Sequence, residues 1–89
     1  MKLLEIIHLR LAGDSPRNLV EAIRGSVDSQ ADPTQVRVYR HARIAGDLII
    51  HLHRDLIGGS ELTSDLGARL ASVLREYGMV EHSVWQELA

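Results

Sequence analysis

Between Val36 and Arg54 the chain sets Arg37, Tyr39, His41 and Arg43, then Ile49, His51 and His53, at alternate positions, most of them separated by aliphatic residues. A period of two is the signature of a strand, and it sends those side chains to one face. An imidazole titrating at about 6.5 can take a proton from a phenol near neutral pH, with Tyr39 or an arginine orienting the substrate. The spacing alone does not single out one histidine for that task. His51 and His53, at i and i+2, point the same way, and with His8 from another strand they could offer three nitrogens to a zinc-like metal or to haem. Arg10, Arg37 and Arg54 would repel such a cation and favour a carboxylate, phosphate or phenolate instead.

Those side chains need a sheet to hold them, and the rest of the chain reads as one. Residues 2–12 are rich in Ile and Leu, with Ile7, Leu9 and Leu11 on one side and Ile6, His8 and Arg10 on the other. The turn Gly13-Asp14-Ser15-Pro16 supplies an N-cap and a proline for a first helix, from about Pro16 to Gly25 or a little beyond. Asp28 to Thr34 is polar and holds a proline, so it reads as a loop. After two central strands, Gly58-Gly59-Ser60 offers a flexible connection and an N-cap. Leu62, Leu66, Leu70, Val73, Leu74 and Tyr77 then make the apolar stripe of a second helix that stops at Gly78. Val80 to Leu88 is the last strand, with His82 on the helix side near its end.

The order strand, helix, strand, strand, helix, strand is the ferredoxin-like split βαβ plan, an α+β fold. It predicts a single domain over 1–89, with a four-stranded antiparallel sheet, both helices on one face and the other face open. For aliphatic residues of the central hairpin to share a face, its loop must have an odd number of residues. Ile44-Ala45-Gly46 satisfies this and pairs Val38 with Leu52, Tyr39 with His51 and Arg37 with His53. The open face then collects His8, Arg10, Arg37, Tyr39, His41, His51 and His53 as candidate ligand-binding residues, and the last strand adds Glu81, Ser83, Trp85 and Glu87.

Composition narrows what this face can do. Eighty-nine residues make one small domain with a thin core. There is no cysteine, which excludes disulfides, thiolate metal sites and a Cys nucleophile. Met1 to Arg10 does not read as a signal peptide, and no apolar run approaches the roughly 20 residues of a membrane span, so a cytoplasmic protein is expected. The net charge of −2, with Tyr39 as the lone aromatic on the central strands, argues against nucleic acid or anionic lipid as a partner. There is no phenylalanine, and Tyr39, Tyr77 and Trp85 are the only aromatics.

A solvated sheet face is the plain alternative, but Ile6, Ile49 and Trp85 also lie there, and a large indole on an open sheet usually has something to cover it. The expectation is therefore a homodimer whose sheets face each other around a mixed polar and apolar cavity, with Trp85 as interface anchor. In element order, in length, and in a last strand carrying Val84-Trp85 after a helix ending in Tyr77-Gly78, the chain resembles the dimeric α+β barrel superfamily. That superfamily includes antibiotic biosynthesis monooxygenase-like and stress-responsive barrel proteins. The resemblance implies a dimeric barrel; its monooxygenase members oxidise aromatic, quinol-like substrates in the cavity without metal or flavin, and other branches bind haem or have no known activity. Aromatics common in the monooxygenase pockets are sparse here. The first expectation is thus a homodimer binding an aromatic or anionic small molecule, a cofactor-free monooxygenase relative that needs no metal. A non-enzymatic assembly module using the same face is the alternative, and a metal or haem protein through His8, His51 and His53 is third.

Overall fold

The computed structural model describes residues 1–11, 18–28, 34–55 and 62–89. It contains β1 (Lys2–Leu11), α1 (Leu19–Asp28), β2 (Gln35–Arg40), β3 (Asp47–Asp55), α2 (Asp65–Leu74) and β4 (Gly78–Gln86). The strands form one antiparallel sheet in the order β2-β3-β1-β4, the expected ferredoxin-like α+β arrangement.

Strand alternation decides what is buried. Ile7 and Leu9 of β1 and Leu48, Ile50 and Leu52 of β3 point to the helix side, where they meet Leu19 and Ile23 of α1 and Leu66, Leu70, Ala71 and Leu74 of α2. These side chains are essentially removed from water, and each full burial of a Leu or Ile contributes about 1.5–3 kcal/mol. Both central strands are therefore pinned in register by one buried face.

The first helix is Leu19–Asp28, ending a little beyond Gly25 as the spacing predicts. Other boundaries differ from the expectation. Pro16, the Gly13–Ser15 turn, residues 29–33 of the polar loop and Gly58-Gly59-Ser60 lie outside the described residues. The second helix is capped by Ser64, whose hydroxyl accepts from the Gly67 N–H at 2.9 Å. Leu62 consequently precedes the helix and is exposed, while Tyr77 follows it and packs against the core. Gly78 does more than stop the helix, because β4 starts there. A Cβ at Gly78 would collide with the Arg10 carbonyl oxygen, so only glycine lets β4 come this close to β1. The last strand accordingly runs two residues earlier than expected, and Glu87 falls beyond it.

The central hairpin is the main correction. Observed pairs are Val38 with Ile50, Tyr39 with Ile49 and Arg37 with His51, a shift of two residues from the expected register. The His41 N–H donates to the Asp47 carbonyl at 2.9 Å and closes a loop of Ala42 to Gly46. That loop also has an odd number of residues, so the parity argument holds and no side chain changes face. The wider loop has a visible cause: His41 Nδ1 accepts from the N–H groups of Arg43 (3.0 Å) and Ile44 (2.9 Å). An imidazole thus satisfies loop donors that a three-residue turn would have handled within the backbone.

Candidate functional site

Cross-strand register assembles the open face in rows. Arg37, His51, Ile6 and Ser83 form one row; Tyr39, Ile49, His8 and Glu81 the next; Gln35, His53, Leu4 and Trp85 a third. Arg10 stands opposite Asp47 at the hairpin end. The face therefore brings together His8, Arg10, Arg37, Tyr39, His51, His53 and Trp85, as the alternation suggests. Tyr39 and His51 lie with ring centroids 5.0 Å apart, and His51 and His53 follow at 6.1 Å. Burial, and secondarily the neighbouring His53, holds the His51 imidazole below its ordinary pKa. Arg54 does not belong to this face. It points to the helix side, so the cationic character of the open face comes from Arg10 and Arg37 alone among the three arginines considered.

At the hairpin end lies a pocket of about 270 Å³, lined by His8, Tyr39, Arg40, His41, Asp47 and Ile49. His8 and Asp47, both partly buried, meet through Nε2 and Oδ2 at 3.3 Å. A carboxylate in that position fixes the orientation and tautomer of the imidazole and leaves Nδ1 as its other functional nitrogen. Asp47 directly follows Gly46 and continues the alternation of Ile49, His51 and His53, so parity alone assigns it to this face; its reach to His8 comes from the β1–β3 register, which sets it opposite Arg10. His41 also borders the pocket, but its Nδ1 is committed to the loop, so this histidine shapes the wall and leaves only Nε2 for other chemistry. Apolar Ile49, aromatic Tyr39 and the oriented imidazole together suit a small planar guest.

A second polar cluster sits on the opposite, helix side. Glu5 is 0% exposed and stands among the buried side chains of β1. Its Oε1 accepts from Ser64 Oγ at 2.7 Å and from the Ser64 N–H at 3.2 Å, and Oε2 hydrogen-bonds His82 Nε2. Arg54 Nε lies 3.5 Å from Oε1. The carboxylate thus docks against the first turn of α2, where unpaired N–H groups and the helix dipole favour negative charge. Serine, histidine and glutamate match a hydrolytic triad in composition only. Here the carboxylate stands between the other two, and Ser64 Oγ donates to Glu5 while His82 bonds the far carboxylate oxygen, so the imidazole is not hydrogen-bonded to the hydroxyl it would have to activate. The cluster ties α2, β1, β3 and β4 together. The expected structural role of His82 fits this placement, whereas Glu5 was missed. Its signal was an acidic residue occupying the fifth position of an otherwise apolar file of Leu3, Ile7 and Leu9.

Among the described residues no group of three His, Asp or Glu side chains is gathered closely enough to hold a metal ion. His8 stands across from Ile49 and His51 across from Ile6, so two apolar side chains interleave with the proposed nitrogen donors. No helix among the described residues is long and apolar enough to cross a membrane. No protein-family model, curated protein or solved structure matches the chain.

Proposed function

We propose that this protein is a small homodimeric α/β-barrel binding protein whose two open sheet faces enclose a cavity for an aromatic or anionic small molecule, in the manner of the dimeric α+β barrel superfamily. The observation that carries the reading is the pocket at the hairpin end, where an imidazole oriented by Asp47 shares an apolar recess with Tyr39 and Ile49. In a cofactor-free monooxygenase relative, the residue required first is a base for a phenolic proton. What supports His8 in that role is its hydrogen bond to Asp47, a carboxylate partner that no other histidine of this face has among the described residues. Tyr39 would orient the guest.

The test is titration of 4-nitrophenol and of benzoate, followed through the fluorescence of Trp85, the single tryptophan. Saturable binding that weakens about tenfold in His8→Ala, equivalent to roughly 1.4 kcal/mol, is the expected result. Absence of saturable binding by either probe would remove the pocket from the account. A second reading, an assembly module with no ligand, draws on the exposure of Trp85 (60%) and Met79 (74%) along β4. It predicts a stable dimer that binds neither probe.

A further inference from the structure

The open face is electrostatically polarised from one edge to the other. On β2 its charge is Arg37, whose cross-strand neighbour is His51; on β4 it is Glu81, whose cross-strand neighbour is His8, an imidazole already bonded to Asp47. Arg10 and Asp47 face each other in the central strands. A basic β2 edge and an acidic β4 edge therefore flank a nearly balanced centre. Trp85 and Met79 stand exposed on the acidic side, and Tyr39 on the basic side.

Resting on the dimeric reading above, we infer that the occupant of this face is a second copy of the chain, related by a twofold axis that runs parallel to the strands. Two isologous arrangements stack one sheet on the other with their strands aligned. An axis perpendicular to the strands lays β2 over β2 and β4 over β4, bringing Arg37 towards Arg37 and Glu81 towards Glu81. An axis parallel to the strands lays β2 over β4 while keeping each residue at its own level along the strand. Glu81 of one copy then lies over Tyr39 of the other, within one row of Arg37, and Trp85 comes over Gln35 and His53. With sheets about 10 Å apart, an arginine and a glutamate can span the gap from opposite sides. The charge pattern is self-complementary only in this second arrangement, and like charges juxtaposed across an interface oppose the first. The same axis sets β3 over β1, so that each His8–Asp47 pocket is roofed by the central strands of the partner copy rather than left open.

Charge reversal tests the axis. Sedimentation equilibrium is run on the wild-type chain, on Arg37→Glu, on Glu81→Arg and on the double variant, with far-UV circular dichroism confirming the fold of each. Both positions are exposed, so the fold of the monomer tolerates the changes. Each single reversal should weaken dimerisation at least tenfold, because symmetry places the repulsive pair in the interface twice. The double variant should recover to within about threefold of wild type. Single variants that dimerise as wild type, or a double variant weaker than both singles, would overturn the strand-parallel axis while leaving a wild-type dimer intact. A wild-type chain that is monomeric would instead overturn the reading on which the inference rests.

Discussion

Glu5 and Gly67 are one feature seen from two residues. A Cβ at position 67 would collide with Glu5 Oε2, so the carboxylate fills the space that any other side chain would need. Gly67→Ala should therefore destabilise the fold by about 2–3 kcal/mol, the range of an overpacked core. Glu5→Ala leaves His82 and Arg54 without their shared anion and should cost on the order of 3–5 kcal/mol. In the Glu5→Ala background the second change should cost far less, since the clash has gone; chemical denaturation of all four chains measures this coupling. An additive pair would show that the clash is relieved elsewhere. At His51 the argument concerns pH. Burial, helped by His53, lowers its folded-state pKa, so the folded chain binds that proton more weakly than the unfolded chain. Stability from this source is full above the unfolded value of about 6.5 and is lost as pH falls through it. Between pH 7 and pH 5 the wild type should lose more stability than His51→Gln in parallel denaturation curves, and equal losses would remove His51 from the acid response.

At the scale of elements, two local devices fix geometry that repeats in the wider fold. Ser64 caps α2 and also donates to Glu5, so Ser64→Ala removes a cap and one bond of the buried cluster together. A loss of about 1–2 kcal/mol is expected in thermal or denaturant unfolding, at the upper end for an N-cap. His41→Ala deprives two loop N–H groups of their acceptor and should cost about 1 kcal/mol, with NMR exchange broadening confined to residues 41–47. Strand and helix order was legible in the sequence because aliphatic residues recur at period two or at helical spacing. Faces were legible as well, since parity alone settles them, and seven of the proposed site residues share the face assigned to them. What alternation could not convey was hairpin length, because the acceptor that widens it is a histidine side chain and not a residue with turn propensity. Asp47 has the parity of Ile49, His51 and His53, but its contact with His8, and with it the reason to prefer that histidine, depends on the β1–β3 register, which alternation alone does not give. Glu5 escaped for a related reason: a charge in a strand reads as an outward position until the partners that neutralise it, distant in sequence, are brought together by the fold.

For the whole molecule, the two sheet faces divide the work. The helix side carries the aliphatic core and a buried ionic cluster that fastens α2 to three strands. The open side carries imidazoles, two arginines, a pocket and an indole that the fold leaves 60% exposed. Trp85 stands exposed beside Leu4, and in the proposed dimer the partner surface would cover both. Trp85→Ala should weaken self-association at least tenfold while leaving the stability of the isolated chain nearly unchanged, as dilution series by analytical ultracentrifugation would show. The resemblance to dimeric barrels and the pocket chemistry both depend on that same closure of one face over another. Sedimentation equilibrium of the untagged wild-type chain at micromolar concentration tests it most directly. The account predicts a species of twice the 9.9 kDa chain mass, and a species of 9.9 kDa across the concentration range would contradict it.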